Sequence, residues 1–542
     1  MRSRLLTTPA ARRLFSLTWL LAAVTFATAG WFLFAGSSAL PGGSRYVEGV
    51  IGQVERVNPL FAQADTAEAD LAALVFSGLT RPRGDGAPLA DLAESWAISP
   101  DGLVYTFRLH AALAWHDGAP LTSRDVAFTI ATVQDPGFRG LPALATDWAG
   151  VRVATPDDRT IELTLRAPSA SFLNRTALAV LPQHLLQGTP ANQLADAAFG
   201  VAPVGSGPYR LRELGSDRAL LEANPSYHLG APPIPELELR FYRDEGALAT
   251  ALERREVNAA LLPEGDGAAA RAAQVRSDLT STDLPRAGYV ALYLNNQRPP
   301  LDEERTRLAL AAAIDRDALQ RDVLGERARL GLSPLVPGSW AAPSQPAISY
   351  GNVDALFAEA GWPRGQGGVC TRGSQRLALT LETNADPRRT RLAEAVANQL
   401  RAAGVEVEVA PLPAIQLLQQ RLVPRDYGMV IFAWDTGPDP DPYGAWHTSQ
   451  ITGAGRNFAG YHDATTDALL EQARSTLDQL ERVELYRRFE ARFLAQTPSV
   501  ILHYPARAYV HPRGLTGLEA GLQFDTSSRF RDVQRWHVVR TP

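Results

Sequence analysis

Residues 104–110, VYTFRLH, alternate apolar and polar positions with a period of two, the pattern of a strand that buries one face. The same alternation returns in TIELTLR at residues 160–166 and in ELELRFY at residues 236–242. Between such strands the period lengthens toward that of a helix. In LTSRDVAFTIATV, Thr122 can cap a helix and Asp125 follows three residues later, the spacing of a capping box. Residues 301–324 predict a long helix with acids at its start and an apolar stripe through Leu308, Ala312 and Leu319. A second long helix is expected over residues 466–496, where Tyr486, Phe489 and Phe493 recur at the spacing of a core-packing face. Strands and helices alternate without an obvious repeat, so the expected fold class is mixed α/β, of α+β character.

The N-terminus departs from that pattern. Arg2, Arg4, Arg12 and Arg13 precede an uncharged run of 23 residues, Leu14 to Gly36, long enough to span a bilayer core of about 30 Å. Arginines before the run and none just after it place the N-terminus in the cytoplasm and the remainder outside. Residues 1–43 are therefore expected to be a signal peptide or a signal anchor, and ARRLFSL weakly resembles a twin-arginine export signal. Lipid attachment is not expected, because the only cysteine, Cys370, lies far downstream. Past the linker LPGGS the chain is expected to be extracytoplasmic, in the periplasm or at the cell surface.

With 542 residues, 45% of them hydrophobic, the chain can build about three domain-sized cores. Its 53 basic residues are all arginine, the net charge is −5, and no arginine run is dense enough to track a phosphate backbone. Nucleic acid is not an expected partner. The lack of lysine removes a Walker lysine, a Schiff-base lysine and a Ser-Lys dyad. One cysteine excludes an internal disulfide, a Cys-rich zinc site and an iron–sulfur cluster, and Cys370 reads as an inert loop thiol. Nine scattered histidines form no H-E-x-x-H, so neither a protein-built metal site nor any cofactor is expected. No G-x-S-x-G occurs, since VGSGPY has Val204 where the first glycine would stand. GSGPYRL reads as a tight turn feeding a strand, and Asp117-Gly118 in WHDG reads as a turn before the helix capped by Thr122. Nothing here requires an enzyme.

In chain order, VNPLFA, VFSGLTR, LAESWAISPDGLVYTFRLHAALAWHDGAPLTSRDVAFTI, PVGSGPYRL, NPSYHLGAPPIPELELRFYRDEGALATALERREVNAALLP, RLALAAAIDRDAL and WDTGPDPDPYGAWHTSQITGAGRNFAGY resemble the family 5 extracellular solute-binding proteins of ABC importers, the dipeptide, oligopeptide and nickel-binding group. The similarity runs from about Tyr46 to the C-terminus. It implies a two-lobed periplasmic-binding-protein fold (type II, with an extra subdomain). Lobe 1 would comprise residues 44–290 plus 505–542, with the extra subdomain at about 80–204, and lobe 2 residues 291–504. YVALYLNNQ and SVILHYPARAYV would cross the hinge. A ligand enclosed between the lobes would be delivered to a membrane permease by a monomeric receptor, with lobe closure as the working step.

The resemblance also places the loop after the strand YGMVIFAW in the cleft. Pro438, Pro440 and Pro442 preorganise that loop. Asp435, Asp439 and Asp441 supply acceptors for a cationic group such as a peptide amine, while Trp434, Tyr443 and Trp446 supply flat apolar walls; Trp340 in LVPGSWA is a further cleft candidate. Asp-Pro alternation is also ordinary turn chemistry, so some of these aspartates turn or cap. Replacing Trp434 or Asp439 by alanine is expected to weaken ligand binding by about 1–3 kcal/mol without unfolding. Peptide-binding relatives typically carry an aspartate three residues after the strand-end tryptophan, where this chain has Gly437. The expected ligand is a peptide or similar small solute, with oligosaccharide, opine or metal chelate as alternatives on the same fold. From other classes, a hydrolase using Asp435 or Asp439 with His447, and a non-transport interaction protein, stay open.

Overall fold

All seven residues of the strand Gly288–Leu294 are buried. Val290, Leu292 and Leu294 face one hydrophobic core while Tyr289, Ala291 and Tyr293 face another, as the period of two demands when both faces of a strand are covered. The computed structural model describes residues 46–264, 267–325, 327–342, 350–453 and 455–539. The predicted export segment lies outside the described residues, among which no helix is long and apolar enough to cross a membrane.

Gly288–Leu294 sits inside a six-stranded sheet, ordered Arg329–Leu330, Ser499–Tyr504, Gly288–Leu294, Met429–Asp435, Ala378–Asn384 and Glu406–Leu412. The last three run parallel to one another. Helices Glu304–Ala312, Val353–Glu359 and Pro387–Ala402 contribute to the core on one face, and Ala464–Ser475 and Gln479–Gln496 to that on the other. A second sheet of seven strands carries Leu279–Pro285, Ala506–Pro512, Ala259–Leu261, Tyr46–Ile51, Glu236–Tyr242, Arg218–Ala223 and Tyr209–Leu214. The chain passes between the two sheets at Arg286–Ala287 and returns at Pro505.

A four-stranded antiparallel sheet, Ala93–Ile98, Val104–Leu109, Thr160–Thr164 and Arg152–Asp157, contains two of the alternating segments. Beside it the helix Ser123–Gln134 starts with the predicted capping box, both the Thr122 and the Asp125 bonds being made. WHDG forms a turn, with Gly118 at φ +88° and Asp117 accepting from the Ala119 N–H at 3.0 Å. In GSGPYRL a Cβ at Gly205 would lie 1.8 Å from the carbonyl oxygen of Val75, the last residue of the helix Ala67–Val75, so only glycine lets the turn approach that helix end.

Both long helices are broken. Residues 301–324 form Glu304–Ala312, Arg316–Leu319 and a π-turn Gln320–Leu324. The break comes where the Asp315 side chain caps a new start by accepting from the Ala318 N–H. The stripe also shifts: Leu308 and Ala312 are half-buried while Thr306, Arg307 and Leu310 are buried. Arg307 donates to the carbonyls of Leu301, Asp302, Gln496 and Thr497, so a residue that reads as solvent-facing closes a helix end instead. Residues 466–496 split into Ala464–Ser475 and Gln479–Gln496, with Asp478 as the second cap. Tyr486, Phe489 and Phe493 are buried in the core, as is Cys370 in the other.

One polar network ties the chain ends together. Arg529 donates to Glu48 at 2.6 Å and to both Asp70 oxygens at 2.9 and 2.7 Å, and the Tyr509 hydroxyl donates to Glu48 at 2.7 Å. Arg529, Glu48, Asp70 and Tyr509 are all buried.

Candidate functional site

The strands Ala378–Asn384 and Met429–Asp435 run parallel, paired from Leu381–Met429 to Thr383–Ile431, and charged groups gather beyond their carboxyl ends, the place where open α/β sheets bind ligands. Asp435 is the last residue of its strand. Arg286, at the chain crossing, donates to its two oxygens at 2.8 and 3.1 Å and also to Asp65. Burial works against the Arg286 charge, but Asp435 and then Asp65 more than offset it and raise its pKa. Asp65 stands at φ +62° just before the helix Ala67–Val75 and accepts from the Thr526 N–H. Arg507, on the return strand, lies 3.6 Å from Asp65. Arg389, in the first turn of Pro387–Ala402, has its pKa lowered by desolvation, which the charges of Glu264, Asp386 and Asp435 only partly offset. His503 beside it is buried neutral, its pKa pushed down to about 3 by desolvation and then by the Arg389 charge.

The other loop carboxylates are also held. Asp439 accepts two bonds from Arg482, at 3.0 and 2.7 Å, with both side chains almost fully buried. The Arg482 guanidinium lies 4.8 Å from the centre of the Trp340 ring and donates to the Tyr486 hydroxyl. Asp441 accepts from the Tyr443 N–H at 3.0 Å and from Arg474 at 2.7 Å. Arg474 covers the Tyr443 ring at 3.9 Å, and the other stacking partner of that ring is His447, at 4.0 Å between centroids. The backbone N–H of Trp340 donates to the Asp85 carbonyl at 3.0 Å. A Cβ on Gly86 would come within 2.0 Å of the Pro438 carbonyl oxygen.

With this geometry in place, residues 87–455 match the family described as bacterial extracellular solute-binding proteins, family 5 Middle. The chain belongs to that family. Among the relatives of this family 5 protein, the oligopeptide-binding protein AppA of Bacillus subtilis is 26% identical over 510 residues, 92% of each chain. Its structure in complex with a nonapeptide gives a TM-score of 0.69 at 25% identity, covering 92% of this chain and 99% of that one. NikZ from Campylobacter jejuni in complex with Ni(L-His) gives 0.70 at 25% identity, covering 91% and 99%. The fold is accordingly the two-lobed one of periplasmic binding proteins.

In the family 5 chain the sequence-selected residues do not form one surface. Trp434, Tyr443 and Trp340 are half-buried and pack on one aromatic core. Trp446, expected in the cleft wall, is fully buried, stacked on Tyr293 and edge-on to Phe493. Asp435 at the strand end and Asp439 and Asp441 in the loop after it are each held by a different arginine. His447 bonds Ser449 and Glu471, and its imidazole lies in that network rather than beside Asp435 or Asp439. Sequence reading missed Asp65, Arg286, Arg389 and Arg507. The available signal was positional: Arg286 lies three residues before one of the two segments expected to cross the hinge, and Arg507 lies within the other.

Proposed function

We propose that this chain is the extracytoplasmic receptor of an ABC importer, taking up peptides or similar small solutes between its lobes and presenting them to the permease. The observation that carries this reading is the likeness, over more than nine-tenths of the chain, to a relative solved with a peptide bound. Residues 44–290 with 505–542 would form one lobe, including the extra subdomain at 80–204, and residues 291–504 the other. Arg286–Ala287 and Pro505 would act as hinge strands, since only two crossings allow a rigid-body closure. Trp434, Trp340 and Tyr443 would supply the apolar walls, with Asp435 at the rim through its pair with Arg286. The work is binding and closure, without bond making. A nickel chelate is the second reading, favoured by the equal likeness to the relative solved with Ni(L-His).

The test is a thermal-shift screen of the full chain in mild detergent against di- to pentapeptides, oligosaccharides, opines and nickel–histidine. A ligand at about a hundred times its Kd adds roughly 2.7 kcal/mol of stability. A rise with peptides is expected; a rise confined to nickel–histidine would select the second reading, and a flat response across the panel would refute both.

A further inference from the structure

The loop after the strand Met429–Asp435 is steadied from outside, by contacts with the segments around the four-stranded sheet. The last carbonyls of the helix Ala464–Ser475 have no following turn to bond. One of them, on Arg474, accepts from the Ala170 N–H at 2.9 Å. Ala170 lies beyond the strand Thr160–Thr164, in a stretch fixed by the buried Tyr105, whose hydroxyl donates to the Ser169 carbonyl at 3.0 Å. An apolar contact stands beside this bond. A Cβ at Gly102 would come within 3.2 Å of both the Leu477 side chain and Pro168, and Gly102, at φ +71°, turns the chain between the strands Ala93–Ile98 and Val104–Leu109.

The same arginine reaches the loop with its side chain. Its guanidinium donates to Asp441 at 2.7 Å and covers the Tyr443 ring at 3.9 Å, and Tyr443 in turn stacks on His447. Arg474 is thus seated on the four-stranded unit through its backbone and on the loop through its side chain. A second seat lies nearer the start of the loop. The turn 83–87 is stiffened by Arg83 donating to Asp85 and by Asp85 accepting from the Ala87 N–H at 3.0 Å. Its Gly86 meets the Pro438 carbonyl, where a Cβ would be 2.0 Å away. Each contact is one hydrogen bond or a small apolar patch, and Leu477 keeps 38% of its surface exposed. Contacts of that size add little individually against water, so they can form and break without unfolding either side.

We propose that residues 80–204 act as a clasp on the ligand loop, and that Arg474 is the positioning residue through which the clasp works. With residues 168–170 seated on the helix end, Asp441 and Tyr443 are held in place; with the seat lifted, the loop loosens. The assignment rests on the reading that the ligand site lies beyond the strand Met429–Asp435, and it deepens that reading by naming what fixes the loop there. No clasp residue has to touch the solute, so loosening the clasp changes how long a solute is retained.

The test is hydrogen exchange of the full chain in mild detergent, read by mass spectrometry on fragments covering residues 167–172 and 436–444, alone and with a mixed tetrapeptide library. The helix Ser123–Gln134 and the strand Gly288–Leu294 report whether the fold is intact. Leu477→Ser should speed exchange in both segments by about threefold or more, the scale of one partly buried leucine. It should leave the two reporters unchanged and raise the dissociation rate of retained tetrapeptides by a similar factor. Arg474→Gln keeps the backbone acceptor, so 436–444 should exchange faster while 167–172 stays slow. Leu477→Met should match the wild type. Slow exchange of 167–172 in the wild type, whether alone or only with peptides bound, sustains the clasp; unprotected exchange under both conditions would overturn it. So would a Leu477→Ser protein whose 436–444 segment is unchanged, or an Arg474→Gln protein in which that segment is not loosened. If Leu477→Ser also speeds the reporters, that variant has lost its fold and the Arg474→Gln result decides. If no tetrapeptide is retained, the peptide reading fails, and the exchange of the unliganded wild type and variants decides the clasp by the same criteria.

Discussion

Asp439 illustrates how one side chain changes meaning once its neighbours are known. In the sequence it is an acidic residue between prolines, as suited to holding an amine as to making a turn. In the structure it and Arg482, 43 residues on, form a buried two-bond pair. Burial pushes its carboxyl up and Arg482 pulls it back. Asp439→Ala should therefore unfold the protein more easily, by about 3–5 kcal/mol in urea titration, since it strands a buried guanidinium. The double change Asp439→Leu with Arg482→Met should recover most of that loss. If Asp439→Ala instead keeps full stability and only weakens ligand binding, the earlier expectation for this residue was right. Trp446 carries a similar lesson: its aromatic character was legible, its complete burial beside Tyr293 was not, because the partner lies 153 positions away.

At the scale of elements, local chemistry read well wherever the partners are close in sequence. The capping box at Thr122 and Asp125 needs only four consecutive residues, and it formed. Thr122→Ala should cost about 1 kcal/mol, measured as a lowered urea midpoint at unchanged slope. The missed breaks at Asp315 and Asp478 are caps too, but each sits inside a window whose apolar period continues past it, and periodicity outvoted the single start signal. Gly86 is decided by a longer-range contact. With φ +91° and the Pro438 carbonyl against its missing side chain, Gly86→Ala should obstruct the approach of the 83–87 turn to the Asp-Pro loop. Weaker binding of whichever solute the thermal screen identifies, by about tenfold at least, is expected, with a smaller change in the urea midpoint; a full-affinity variant would sink this account.

Across the whole molecule, the network around Arg529 joins the first strand, the first helix, the return strand and the C-terminal segment. Arg529→Met leaves two buried carboxylates facing each other and should cost about 3–5 kcal/mol, read as a lower melting temperature. Stability should also fall in mild acid. His116 accepts from the Gly205 N–H at 3.3 Å with one ring nitrogen and donates to the Gly207 carbonyl at 3.1 Å with the other, a neutral arrangement whose pKa burial pushes down to about 4. His503 is likewise neutral, at about 3. Both histidines titrate near 6.5 when unfolded, so the unfolded chain binds protons first. Their contribution is complete above that pH and is lost as pH falls, by about 1.4 kcal/mol per unit for each until its folded pKa is reached. Urea midpoints at pH 7 and pH 5 measure this, and unchanged midpoints would show that the two rings are hydrated and free to protonate.

The sequence by itself determined the mixed α/β class, the strands whose alternation is local, the capping box, the tight glycine turns and, through the order of its motifs, the family. These depend on neighbours within a turn or a strand, or on a pattern spread along the whole chain. Only the tertiary structure decided which arginine each carboxylate meets. Arg286 finds Asp435 at a separation of 149 residues and Asp65 at 221. Charge pairing across such distances is set by how the two sheets meet, and no local pattern of residues encodes it.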